Sequence, residues 1–333
     1  MTEREKLQLA YQKIKNAQSI LLVGHNYPDP DALASIGALS ELLDSLKIKK
    51  SAYAQNKPVG IYDFIPHSQL VSGTISGKLE DFSLIIILDC GSLARTGLLE
   101  EINNLLLLPE RPYIIEFDHH QPQDKFADLE IRLPKKASTT EVIYDFFVAN
   151  SLAINKTVAE CILIGLISDT GHFLHANATH QALAIASKML LKGASLNKLS
   201  SKVRGSSSLS TLKVWGRALE KLKFNPQTGF AYTALTNEEL KELLSAEERA
   251  AATDIFGDIA SFISYLSGVK VALFLREEEE KVKGSLRTNT DEIDVALLAR
   301  QFNGGGHRRA AGFSIIGRLK ETATGWSVVK SKE

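Results

Sequence analysis

Cysteine is scarce: Cys90 and Cys161 are the only two in 333 residues. They lie far apart without a metal-ligand or redox spacing, which excludes a disulfide framework and a thiolate zinc site and points to a reducing, cytoplasmic setting. Net charge is lacking too. The 39 basic residues balance the 39 acidic ones, so no global field draws the chain to long duplex nucleic acid, and any polyanion contact must be local. No apolar run is long enough to cross a bilayer, and the N-terminal MTEREKLQLAYQKIKNA is charged, reading as an amphipathic helix rather than a signal peptide. A soluble protein with no membrane partner is expected. Internal repeats and low-complexity tracts are also missing. What is present is ordinary globular composition, 44% hydrophobic and 23% charged, over a length that suits two domains.

The first part alternates apolar runs with amphipathic stretches, which predicts an α/β domain with a mainly parallel sheet flanked by helices. Expected strands are Ser19 to Gly24, Lys50 to Gln55, Phe82 to Leu88 and Tyr113 to Phe117. Expected helices are Ala32 to Leu46, Thr139 to Ala149 with a capping box in STTE, Val158 to Ile167 and His180 to Leu191. From Gly193 the chain turns rich in serine, lysine and glycine, read as a connection. A smaller α+β domain follows, with a strand near Phe230 to Leu235, helices near 237–244 and 254–266, a hairpin VALFLREEEEKVKGSLRT, a helix Val295 to Phe302 and a strand near Gly312 to Ile316. The expected division is 1–192, a linker over 193–220, and 221–333.

Four places in the first domain put acidic or imidazole groups directly after an apolar element, where open α/β sheets carry ligand sites. HNYPDPDA supplies His25, Asp29 and Asp31, with two prolines restricting the loop. The plain alternative for Asp31 is a helix N-cap. Asp89 ends the run SLIIILD, and a carboxylate buried there requires a partner. In YIIEFDHH the strand runs into Asp118, His119 and His120; adjacent histidines in extended chain face opposite ways, so only one easily joins a given metal. Asp169 ends an apolar helix in LISDTG, with His172 and His175 as secondary candidates. Together His25, Asp29, Asp31, Asp89, His119 and Asp169 make six nitrogen and oxygen donors with no thiolate. That set suits a pair of hard or borderline divalent ions, Mn²⁺ or Mg²⁺ before Zn²⁺, bridged by the central Asp89.

In the second domain, GGGHRRAAG joins Gly304, Gly305 and Gly306 to His307, Arg308 and Arg309, a pattern in which backbone amides and cations meet an anion. Arg287 in GSLRT offers a bidentate phosphate contact. The plain alternatives are a flexible turn and a solvated basic patch. The acidic run Glu277 to Glu280 reads as a solvated hairpin tip.

The motifs H-x-x-P-D-x-D-A, strand-ending D-C, D-H-H, D-T-G and GGGHRRAAG, in this order over nearly the whole chain, resemble the DHH phosphoesterase family with its DHH-associated domain. Within it the two-domain form is similar to the NrnA-like nanoRNases and pAp phosphatases. The resemblance implies two Mn²⁺, with Mg²⁺ or Co²⁺ as substitutes: one held by His25, Asp29 and Asp89, the other by Asp31, Asp89, His119 and Asp169. It also implies that Asp89 and His120 are catalytic, His120 meeting the scissile phosphate or the leaving oxygen, and that Arg287, Gly304, Gly305, Gly306, His307 and Arg308 bind substrate.

The expected activity is Mn-dependent hydrolysis of short oligoribonucleotides, linear dinucleotides or 3′-phosphoadenosine 5′-phosphate by water activated between two ions. The alternatives are a cyclic-dinucleotide phosphodiesterase, an inorganic pyrophosphatase or a non-catalytic nucleotide-binding protein. A homodimer is compatible with the sequence.

Overall fold

The computed structural model describes residues 1–333 except 59, 122–124, 176, 198, 200–208, 246–247, 250–252, 323–324 and 330–333. The chain divides into two compact units, Met1–Ser206 and Ser207–Glu333.

The first unit is built on six strands: β1 (Ser19–Val23), β2 (Lys49–Tyr53), β3 (Val71–Ser72), β4 (Leu84–Leu88), β5 (Tyr113–Asp118) and β6 (Leu129–Arg132). They lie in the order β3-β2-β1-β4-β5-β6 and every pair is parallel. Strand β4 is apolar at every position and β1 at all but Ser19, because both faces of the central sheet are covered. Ile20 and Leu22 of β1 face one cluster with Leu84, Ile86 and Leu88 of β4, while Leu21, Val23, Ile85 and Ile87 face another. Helices α1 (Glu3–Asn16), α2 (Pro30–Ser45), α4 (Thr139–Ala149), α5 (Lys156–Asp169) and α6 (His180–Leu191) cover the first face, and α3 (Leu99–Leu106) packs on the second. Because β2 and β4 lie on opposite sides of β1, the strand order reverses between β1 and β4. Open α/β sheets bind ligands at such a crevice, beyond the carboxyl ends of the strands.

The expected strands and helices agree with these elements to within about two residues. Strands β3 and β6 and helix α3 are additions to the expected set; each is too short for its period to stand out. The STTE capping box forms by half. Ser138 Oγ accepts the Glu141 amide at 3.1 Å, but the Glu141 carboxylate reaches one residue further and accepts the Ala137 amide at 2.8 Å. Of the stretch expected as linker, residues 198 and 200–208 lie outside the described residues, and its end, Leu209–Glu220, is helix α7.

The second unit carries a mixed sheet, β11-β12-β10-β9-β8-β7. Its strands are β7 (Lys223–Asn225), β8 (Phe230–Leu235), β9 (Val271–Glu278), β10 (Lys281–Arg287), β11 (Gly305–His307) and β12 (Ala310–Ile316), and only β8 and β9 pair in parallel. Helices α7, α8 (Asn237–Leu243), α9 (Thr253–Ser264) and α10 (Val295–Arg300) belong to this unit, as do β13 (Arg318–Thr322) and β14 (Gly325–Val329), which form a separate ribbon. Alternate residues of β9 again serve two clusters, Ala272 and Phe274 on one side, Val271 and Leu273 on the other.

Candidate active site

Three neighbouring strands end together. Beyond β1 comes His25, beyond β4 Asp89 and beyond β5 His119 and His120, and the parallel register delivers all of them to one edge of the sheet. Helix α2 adds Asp29 and Asp31 from its start, and α5 adds Asp169 from its end.

The two aspartates of the first loop do different local work. Asp29, not Asp31, is the N-cap of α2: its Oδ1 accepts the amides of Asp31 and Ala32 at 3.0 Å. Burial acts to raise its pKa, but the imidazole of His25 and the helix amides outweigh burial and hold the carboxyl well below the usual range. Asp31 is fully buried and lies on the start of α4, where its oxygens accept the amides of Thr139 (2.7 Å) and Thr140 (3.1 Å). A carboxylate at a helix N-terminus is favourable. Gly165 of α5 makes room, since a Cβ there would overlap Asp31 Oδ1 and the Thr140 side chain. Even so, burial and then the nearby Asp169 charge push Asp31 up to about 8.

Asp89 sits in the left-handed region, φ 61°, without being glycine, a conformation that costs of order 1 kcal/mol and clusters at functional sites. Its Oδ1 accepts the Thr139 hydroxyl at 2.8 Å and lies 3.6 Å from both His119 Nε2 and His120 Nδ1. Burial raises its pKa well above the usual value, reinforced by Asp31, Asp29, Asp169 and Asp118. Cys90 beside it is buried in the opposite cluster, as packing.

The backbone leaves the extended state after Asp118, so both histidines turn toward Asp89 and their rings meet edge to face at 4.6 Å. His119 Nε2 lies 3.1 Å from Asp169 Oδ2, and its Nδ1 lies 3.4 Å from the Lys136 carbonyl. Burial works against a charged imidazole here, but Asp169 outweighs it and raises His119 to about 9. Asp118, to which the sequence pattern assigns no role, organises His120. Its Oδ1 accepts from the His120 amide and from Nδ1 at 2.7 and 2.8 Å, and its Oδ2 accepts the Gly91 amide at 2.6 Å. Its place inside D-H-H is the one signal of that role in the sequence.

The ligand atoms fall into three groups, each within 4.8 Å: His25, Asp29 and Asp89; Asp31, His119 and Asp169; Asp89, His119 and His120. Asp89 belongs to two of them, while Asp29 and Asp31 stand in separate ones. A fourth group, Glu41, Asp44 and His67, lies on the other end of α2. Among the described residues His172 and His175 join none. The donor set fits metal on independent grounds. His25 is 3% exposed and, among the described residues, neither ring nitrogen makes a hydrogen bond, Nε2 standing 3.5 Å from Asp29 Oδ2; such burial is costly unless something else takes the lone pair.

In the second unit GGGHRRAAG is a tight hairpin, not a free glycine turn. Residues Gly305 to His307 pair with Ala310 to Gly312, and Arg308 and Arg309 make the two-residue loop. A Cβ on Gly304 would overlap the Gly312 carbonyl, and one on Gly306, at φ 140°, would overlap that of Ala310, so hairpin packing explains both glycines. Gly305 faces open space. Arg308 donates to the Asp291 carbonyl at 2.5 Å, and Arg309 is paired with the Asp291 carboxylate. Arg287 ends β10 beside the same strand and donates from Nε to Ser261 Oγ at 3.3 Å. Of the expected acidic tip, Glu279 and Glu280 are exposed, but Glu277 is buried because it faces the start of α8, where its carboxylate lies 3.5 Å from the Asn237 amide.

Comparison with known proteins yields two domain matches, the DHH family N-terminal domain over residues 19–166 and the DHHA1 domain over residues 234–324. The bifunctional oligoribonuclease and PAP phosphatase NrnA of Thermus thermophilus is 28% identical over 314 residues, covering 94% of this chain and 89% of that protein. The protein of the same name from Bacillus subtilis is 26% identical over 301 residues, covering 89% of each. The solved structure of an exopolyphosphatase-related protein from Bacteroides fragilis matches with a TM-score of 0.81 and 25% identity, covering 94% of this chain and 92% of that one.

Proposed function

Since the chain carries a DHH family N-terminal domain followed by a DHHA1 domain, we propose that it is a Mn-dependent phosphoesterase acting on short oligoribonucleotides, linear dinucleotides and 3′-phosphoadenosine 5′-phosphate. The observation that carries this reading is the meeting of His25, Asp29, Asp31, Asp89, His119 and Asp169 in one largely buried cluster with Asp89 shared between groups. The similarity to NrnA proteins over most of the chain supports the substrate class.

In this reading His25, Asp29 and Asp89 hold one ion, and Asp31, Asp89, His119 and Asp169 hold the other. The chemistry that two such ions supply is activation of water and neutralisation of charge on the phosphoryl oxygens. The chain's own residues do the rest. Asp118 fixes the His120 ring through Nδ1, leaving Nε2 as the atom that delivers a proton to the leaving oxygen. Arg287, His307, Arg308 and the Gly305 amide bind a phosphate of the substrate.

The test is a panel with Mn²⁺: 3′-phosphoadenosine 5′-phosphate, pApA, a cyclic dinucleotide and RNAs of increasing length, on wild type and Asp89→Ala. Turnover of the short substrates, falling with length and lost in the variant, is expected. Undiminished turnover by Asp89→Ala, or none by wild type on any substrate, overturns the proposal.

A further inference from the structure

The entry into α4, residues 136–140, touches the candidate ligands from several directions. The Lys136 carbonyl lies 3.4 Å from His119 Nδ1. Asn177 Nδ2 donates to the carbonyls of Ala137 and Asp169, at 3.2 and 3.0 Å, which joins this segment to the end of α5. The amides of Thr139 and Thr140 hold both oxygens of Asp31. All these contacts use main-chain atoms of the segment, so they report its path and not its side chains. The Thr139 hydroxyl is different. It donates to Asp89 Oδ1 at 2.8 Å, while the same residue's amide donates to Asp31 Oδ2 at 2.7 Å.

Thr139 therefore ties together two carboxylates that the ligand groups assign to different partners. The residue is fully buried, so no water replaces its hydroxyl without rearrangement. Asp89 Oδ1 is equidistant from His119 Nε2 and His120 Nδ1, at 3.6 Å each, and without the hydroxyl the carboxylate is free to rotate toward either imidazole. A ligand that must be reoriented on binding costs affinity, which is why groups behind the ligands tune metal sites.

We propose that Thr139 is a positioning residue of the two-ion site, its hydroxyl fixing the Asp89 carboxylate while its amide fixes Asp31. The inference rests on the two-ion reading above and adds a residue outside the six ligands. Replacing Thr139 by valine removes the hydroxyl at nearly constant shape and leaves the amide contact to Asp31 in place.

The experiment is calorimetric titration of the metal-free full chain with Mn²⁺ alone, on wild type, Thr139→Val, Thr139→Ser and Thr179→Ala. The last removes the side-chain cap of α6 and serves as a stability control. Thr139→Val is expected to bind at least one ion on the order of 10-fold more weakly, Thr139→Ser close to wild type. Thr179→Ala is expected to melt earlier with Mn²⁺ affinity unchanged. Should valine prevent folding, Thr139→Ala gives the same comparison with less bulk. Wild type that takes up two ions, together with hydroxyl-less variants that bind them equally well, overturns the role of Thr139 alone; an equal loss in Thr179→Ala overturns it too. Wild type that takes up no Mn²⁺ overturns the metal reading beneath it.

Discussion

In the first unit Asp31 and Asp89 are almost fully buried, whereas in the second unit His307 and Arg308 stand exposed at a hairpin end. Each buried carboxylate is held by donors from a distant part of the chain, about 50 residues away for Thr139 and Asp89. The basic residues are held by their own neighbourhood: Asp291 takes both arginines, and the turn's carbonyls accept the amides of Thr288 and Val295. Like charges forced into a low-dielectric interior require a counter-charge, so burial itself argues for a cation. An exposed arginine is already solvated and requires nothing. The acidic cluster is thus over-determined by its environment, and the basic one is a preference that only a ligand would reveal.

The largest effect that sharpens this contrast is the pH dependence of the metal-free protein. Asp31, at about 8 when folded, lies above its unfolded value near 4, so between those limits the folded state binds more protons than the unfolded one. Stability then falls as pH rises through that window. His119, raised to about 9, acts in the same direction above about 6.5, and Asp89, also raised, does so from about 4 upward. Asp29 and Asp118 are shifted the other way, and what they contribute is lost only at acid pH below about 4. With EDTA present, the protein is expected to lose on the order of several kcal/mol between pH 5 and pH 9. Added Mn²⁺ should restore most of it, more at pH 9 than at pH 6, because ions replace the protons. A melting temperature in EDTA that stays level over this range would mean the carboxylates are not crowded as described.

The second unit should show no such coupling, and its weak point is steric. Gly304→Ala places a methyl against the Gly312 carbonyl, and a loss of about 1–3 kcal/mol is expected by urea unfolding, with Mn²⁺ affinity unaltered. Stability equal to wild type would show that the hairpin yields there, and would return the glycine to the ligand.

How much of this can be read from the sequence divides along the same line. The ends of β1, β4 and β5 are legible because a carboxylate or imidazole stopping a largely apolar run is anomalous, and anomalies carry information. Their common edge follows from parallel strands alone. Which of Asp29 and Asp31 caps α2 is not legible, since either residue satisfies a cap pattern; the observed backbone and the two amides that Asp29 accepts choose it over Asp31, for which a cap is the plain alternative. Thr139 is hidden inside a capping motif that already explains it, and Asp118 stands in a triplet whose histidines carry the more obvious chemistry. In GGGHRRAAG the glycine run gives no hint that two of its members serve hairpin packing, because close approach of backbones leaves the same sequence trace as close approach of a phosphate.

Arg287 offers the next smaller test. It ends a strand and its guanidinium already donates to Ser261 Oγ and to the Leu286 carbonyl, so it is oriented before any substrate arrives. Arg287→Gln is expected to raise KM for pApA about 10-fold with a smaller change in kcat, the signature of lost substrate binding rather than lost chemistry. Equal falls in kcat and kcat/KM would instead place Arg287 against the reacting phosphate, and an unchanged KM would remove it from the substrate site.

Gly305 is the finest discriminator, because it alone of the three glycines has nothing within 4 Å of the point where a Cβ would stand. Packing therefore gives no reason for a glycine there, and its backbone does not occupy the left-handed region. Gly305→Ala should leave stability within about 0.5 kcal/mol of wild type by urea unfolding. If the Gly305 amide meets a substrate phosphate, the added methyl blocks that approach and KM rises a few-fold at constant stability. A variant unchanged in both respects would show that the open face of the hairpin is empty in the complex, and would leave Arg287 and His307 to recognise the substrate without the glycine backbone.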